Sequence, residues 1–221
     1  MDLEKVSVLS AYEHVHSPAQ FSMKKGMPDE NERLEDKTDE ELVALTLENP
    51  DNYRVLVERY EVKLLRYIMR ISSSTMEDAE DILQDVFVSA YRNLNGFDPD
   101  LKFSSWIYRI THNKVISHYR KTTARPKTVT YEGDNDLLNI LKGDSDLAED
   151  LERQYTAKEV MDTLSEMDER YREVLVLKFI EDKNYREISD ILEKPMGTVA
   201  TLISRAKKQF KEKAEEKNKH I

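Results

Sequence analysis

An apolar stripe constrains this chain more than any other feature. Tyr53, Leu56, Val57, Tyr60, Leu64, Tyr67, Ile68 and Ile71 recur at intervals of three and four, the spacing that gathers side chains on one face of an α-helix. Ala79, Ile82, Leu83, Val86, Phe87, Ala90, Tyr91 and Leu94 repeat the pattern. Such stripes must be covered by one another. With only five Gly and six Pro in 221 residues, helix formers dominate and turn residues are scarce, so the expected fold class is all-α.

Punctuation divides the stripes into elements. Thr38-Asp39-Glu40-Glu41 has the form of a capping box and opens a short helix ending near Asn49. Asn49-Pro50 restarts the chain into the first long helix. Thr75-Met76-Glu77-Asp78 starts the second, and Asn95 to Asp100 is a turn by composition. A fourth helix carries Trp106 and Ile110, completing a four-helix domain over 38–121. Residues 1–37 lack a sustained period and read as an arm with a short helix near Val6 to Val15; its bare His14 and His16 pair reads as solvated.

Residues 122–150 read as a flexible acidic linker, with Leu137, Leu138, Ile140 and Leu141 as a short docking turn. Helical segments are then expected over 152–167, 168–180, 185–192 and 197–213, within a second small domain, 151–221. The last two, joined by Glu193-Lys194-Pro195-Met196, have the layout of a helix-turn-helix. Val199, Ile203, Ala206 and Phe210 share a face of the final helix, which leaves Thr201, Ser204, Arg205 and Lys208 outward.

Charge narrows the function. The formal total is −10, yet Lys102 to Lys127 holds seven basic residues and no acidic one. Phe103, Trp106, Tyr108 and Tyr119 are interleaved with them. Cations suit phosphates and aromatic faces suit exposed bases, so this island reads as a nucleic-acid contact despite the acidic total. Trp106 reads as core, as large aromatics at helical spacing usually are. With no Cys, no glycine-rich phosphate loop and five His in no ligand spacing, neither an enzyme, a cofactor nor a metal site is expected. No run approaches the roughly 18 apolar residues of a membrane span, and the first residues lack the pattern of a secretory signal. A cytoplasmic protein without membrane insertion is expected.

Three motifs in order resemble the extracytoplasmic-function (ECF) group of the sigma-70 family, the promoter-specificity subunits of bacterial RNA polymerase. Asp78 to Phe87 is similar to the family's polymerase-binding helix, and Phe103 to Asn113 to its promoter-melting helix. Tyr185 to Ser189, Gly197-Thr198-Val199 and Ser204-Arg205-Ala206 resemble its −35-reading helix-turn-helix. The resemblance implies docking of Asp78, Asp81, Gln84 and Asp85 on the clamp helices of the largest, β′-type subunit of the polymerase core. It implies contact of promoter DNA at the −10 element by Phe97, Arg109, Asn113, Lys114, Ser117, His118, Arg120 and Lys121. Among these, the loop at Phe97 would capture a base turned out of the stack, and the Asn113 amide can read a base edge. At the −35 element it implies Thr198, Thr201, Ser204, Arg205 and Lys208.

Many family members also have an anti-sigma factor as a partner. The chain departs from the pattern at Ala200 and Leu202, where basic residues are common, which implies altered −35 recognition. Two rival readings stand beside the sigma factor: a decoy that sequesters an anti-sigma factor, and a helix-turn-helix repressor.

Overall fold

The computed structural model describes residues 34–72, 74–122 and 157–218. The expected arm up to residue 33, with His14 and His16, lies outside the described residues, as do positions 123–156, which hold most of the expected linker and its docking turn. Among the described residues there is no strand, and the helices form two small domains.

In the first domain, α1 (Asp39–Glu48) leads through a 3-10 turn (Pro50–Asn52) into α2 (Tyr53–Ile71), then α3 (Met76–Arg92) and α4 (Phe103–Thr122). The expected caps form. Thr38 and Glu41 exchange hydrogen bonds as a full capping box, and so do Thr75 and Asp78. Asn49 accepts the Asp51 amide ahead of α2. The stripe of α2 is buried throughout, and that of α3 from Ala79 to Ala90. Tyr53 reaches across from α2 to donate to the Phe87 carbonyl of α3 at 2.8 Å. Helix α4 begins on an acidic anchor that periodicity does not show: Glu40 accepts the Phe103 amide at 2.9 Å, a carboxylate set against the positive end of a helix.

The second domain holds α5 (Ala157–Ser165), α6 (Glu169–Leu175), α7 (Tyr185–Leu192) and α8 (Met196–Asn218). The expected helix over 168–180 is not uniform. After Leu175 the backbone widens into a π-turn, Val176–Ile180, in which the Glu181 amide reaches back to the Val176 carbonyl. Widening by one residue buries Val176, Leu177, Phe179 and Ile180 and re-aims the chain just before Glu181. Helix α8 runs five residues past the expected end at 213, because Ala214 is buried and Lys217 pairs with Glu166 at 2.9 Å.

The domains are packed against each other, α7 along α4 and α6 on α2. Ionisable groups line this seam. Glu173 accepts the Tyr67 hydroxyl at 2.8 Å and faces His112 Nδ1 at 2.6 Å. Glu181 pairs with Arg70 at 3.0 Å through one oxygen and accepts the Tyr108 hydroxyl at 2.5 Å through the other. The Arg70 and Glu181 side chains are 9% and 8% exposed, so water scarcely reaches this ion pair. Lys183 lies over the Tyr108 ring, 4.6 Å from its centre. Burial pushes both tyrosine hydroxyls far above their usual range, so they stay protonated and donate. Burial also lowers the Lys183 ammonium. At the rim Lys102 pairs with Glu187 at 2.8 Å. Burial alone would raise the Glu187 carboxyl, but Lys102 and the Asn184 amide together hold it below its ordinary value.

Candidate nucleic-acid interface

Helices α3 and α4 lie side by side and leave a cleft of about 640 Å³, lined by Asp81, Ile82, Asp85, Ser89, Ile110, Asn113, Lys114, Ser117 and His118. The structure thus brings two groups of residues, expected to serve different partners, onto one surface. Asp81 and Asp85 form an acidic wall; Asn113, Lys114 and Ser117 face it with amide, ammonium and hydroxyl. The aspartates sit i, i+4 on α3, and Asn113 and Ser117 sit i, i+4 on α4, so each pair projects from one face. Asp81, Asp85, Asn113 and Ser117 are all exposed.

Other expected residues sit apart from the cleft. Gln84 and Arg109 are half-buried and Arg120 is exposed, none of them lining it. Lys121 lies in the last turn of α4, with its side chain outside the described residues. Asp78 is occupied locally, its carboxylate accepting both the amide and the hydroxyl of Thr75.

Phe97 requires a correction. Its ring is 8% exposed and packs edge-on against Phe103 at 5.7 Å and Trp106 at 5.4 Å. It is part of the core and offers no free face to a base. The reason is local: the 3-10 turn Leu94–Gly96 rolls the chain so that Leu94 and Phe97 point inward. The surface of that loop is Asn95, Gly96 and Asp98. Trp106 lies in the same aromatic cluster, as expected of a core residue.

The helix-turn-helix is built by three local devices. Asn184 accepts the Arg186 and Glu187 amides while Glu187 returns to the Asn184 amide, a full capping box at the start of α7. The signal Asn-x-x-Glu stood in the sequence. Glu193 ends α7 in the left-handed region, φ 51°, a conformation awkward for a residue with a Cβ. It is held there by Ser189, whose hydroxyl donates to the Lys194 carbonyl at 2.5 Å. Pro195 then starts α8, accepting the Thr198 and Val199 amides. On α8 Val199, Ile203, Ala206 and Phe210 are buried, while Thr198, Thr201, Ser204, Arg205 and Lys208 are exposed. Ala200 and Leu202 are half-buried, and Leu202 packs on the core. The absence of cations there accompanies positions turned partly inward. Lys207 is also set aside, its ammonium 5.3 Å from the centre of the Phe179 ring.

An all-helical protein with an acidic-and-amide cleft on one domain and a helix-turn-helix on the other has the form of a transcription factor with both protein and DNA partners. Sequence comparison agrees. A model of Sigma-70 region 2 matches residues 56–125, and one of Sigma-70 region 4 matches 157–210. The ECF RNA polymerase sigma factor SigW of Bacillus subtilis is 32% identical over 173 residues, 73% of this chain and 88% of that protein. The RNA polymerase sigma-H factor of Pseudomonas aeruginosa is 32% identical over 163 residues, covering 70% and 82%. Among solved structures, CnrH in complex with the cytosolic domain of CnrY aligns with a TM-score of 0.57 at 27% identity, covering 79% and 96%. RpoE of Bartonella quintana, solved with the anti-sigma factor NepR, shares the fold, with a TM-score of 0.58 at 19% identity over 74% and 97%.

The chain belongs to the ECF group of the sigma-70 family. It is an RNA polymerase sigma factor, a subunit that directs the polymerase to promoters; members of this family are not enzymes. No helix among the described residues is long and apolar enough to cross a membrane.

Proposed function

We propose a division of this activity between the domains. The first, 38–121, docks on the clamp helices of the largest polymerase subunit through Asp81, Gln84 and Asp85, with Asp78 shaping the helix that presents them. The same domain holds the −10 element through Arg109, Asn113, Lys114, Ser117, His118, Arg120 and Lys121. The second, 151–221, reads the −35 element through Thr198, Thr201, Ser204, Arg205 and Lys208, with 122–150 as the connection. A protein inhibitor is the third proposed partner; CnrH, which is solved with the cytosolic domain of CnrY, supports a regulator of that kind.

The observation that carries this reading is the shared cleft between α3 and α4. Carboxylates repel a phosphate backbone, so the Asp81 and Asp85 wall favours a basic protein surface, while the opposite wall favours DNA. A partner that covers the aspartates removes the repulsion and leaves Asn113 and Ser117 facing a strand. Polymerase docking and strand capture are thereby coupled through one surface.

The test is transcription by core polymerase with the purified chain on a promoter library. D81K/D85K is expected to abolish core binding, while K114A/R120A binds core normally but opens promoters with a weaker salt dependence, the slope of log K falling by about 1 per lost phosphate contact. Core binding unaffected by D81K/D85K would overturn the docking assignment.

A further inference from the structure

The helix-turn-helix presents its outer face as a row. Gly197, Thr201 and Arg205 are all exposed. They stand four residues apart on α8, on the side opposite the buried Val199, Ile203, Ala206 and Phe210. At roughly 1.5 Å per residue each step of the row is about 6 Å, close to two base pairs of duplex at a rise of about 3.4 Å.

Thr201 holds the middle of the row, and its hydroxyl is already engaged. It donates back to the Gly197 carbonyl at 2.9 Å, the local bond that Ser and Thr make inside helices. Of the groups on its Cβ, the methyl is what remains to meet a partner. Gly197 leaves the first turn of α8 bare: a Cβ placed there would meet nothing within 4 Å. A duplex can therefore approach that turn down to the backbone. Around the row, charge is set aside. Ala200 and Leu202 are half-buried and uncharged, Lys208 pairs with Glu212 at 3.8 Å, and Lys207 lies over the Phe179 ring. Arg205 is the basic member of the row.

In the major groove a methyl group marks thymine, and a guanidinium fork fits the O6 and N7 of guanine. We propose that this chain reads its −35 element by packing the Thr201 methyl on a thymine 5-methyl and setting the Arg205 fork on a guanine about two base pairs away, with Gly197 clearing the approach. This deepens the assignment of the second domain to the −35 element and rests on it. A contact between methyls takes the place of a hydroxyl hydrogen bond at Thr201, and the uncharged residues at 200 and 202 leave guanine recognition to Arg205.

The test uses core polymerase carrying the full chain, bound to duplex promoters randomised over the upstream element. In the selected element each thymine is then replaced in turn by deoxyuridine, which deletes the 5-methyl and leaves pairing intact. One such replacement is expected to weaken binding by the wild type about fourfold, the weight of one buried methyl. Thr201→Val keeps an outward methyl and is expected to select the same element, with the same loss on deoxyuridine. Thr201→Ser keeps only the hydroxyl and is expected to bind the thymine and deoxyuridine elements alike. Arg205→Ala is expected to lose about tenfold in binding, together with the preference for guanine at one position.

A selected element with no thymine on either strand, or a wild type indifferent to deoxyuridine at every thymine, overturns the methyl contact, and neither result depends on a variant folding. The reverse pattern, in which Thr201→Ser keeps the discrimination and Thr201→Val loses it, overturns it as well. A guanine preference that survives Arg205→Ala overturns the second half of the reading. A library with no upstream preference at all would instead overturn the assignment of this domain to the −35 element, and the reading of its bases with it.

Discussion

The core of the first domain and the seam between the domains are both buried, but the seam carries paired charges and hydroxyls within an apolar cluster that runs through both domains. In the core, Leu56, Leu64, Ile68, Leu83 and Phe87 are sealed from water on all sides. In the seam, carboxylates, a guanidinium, an imidazole and two phenols meet. Apolar burial cannot be undone without exposing area to water, at roughly 25 cal/mol per Å². The ion pairs of the seam, unlike its apolar contacts, exchange their partners for hydration at lower cost. The difference separates what holds each domain folded from what holds the two together.

Mutations at the two places should break along this line. Leu64→Ala, at a fully buried site, is expected to destabilise the first domain by about 2–5 kcal/mol in chemical denaturation. Glu181→Ala leaves Arg70 without its carboxylate, which in a rigid interior costs about 3–5 kcal/mol. Here the domains can part and rehydrate the guanidinium, so the loss is capped at the docking free energy. The expected result is a smaller effect, seen as an early separate transition, with the main unfolding midpoint nearly unchanged. A single cooperative shift as large as that of Leu64→Ala would show that seam and core are one unit.

Asn184→Ala removes the α7 cap and is expected to cost about 1 kcal/mol, confined to the second domain. The smallest effect belongs to the rim pair. The Glu187 carboxyl is held below its ordinary 4.5, so its contribution is complete above the unfolded-state value and is lost as pH falls through the lower folded one. Lys102→Met should therefore weaken docking by under about 1 kcal/mol at pH 7. That difference should shrink as pH falls below 4.5 and vanish once Glu187 is fully protonated, measured by energy transfer between dyes placed on the two domains.

Much of the fold was legible because it is local. Capping boxes act within four residues, and Thr38 with Glu41 and Thr75 with Asp78 form as their spacing requires. The helix-turn-helix was readable for the same reason, and α7 falls on its expected 185–192. Phe97 was misread because a loop aromatic carries no period; whether it turns inward depends on neighbours at 103 and 106. The π-turn at Val176–Ile180 was hidden because its register comes from packing. Tyr67 counted simply as part of an apolar stripe, and nothing near it in sequence announces that its hydroxyl meets a carboxylate 106 positions away.

The sequence alone determined the helices, their caps, their apolar faces and the outward residues of α8, since each follows from interactions over a few residues and a helical period. Only the tertiary structure decided that Asp81 and Asp85 share a cleft with Asn113 and Ser117, and that Glu173 and Glu181 close a seam against the first domain. Those are meetings between segments far apart in the chain. Their partners are chosen by how the packed helices align, and no local pattern encodes that alignment.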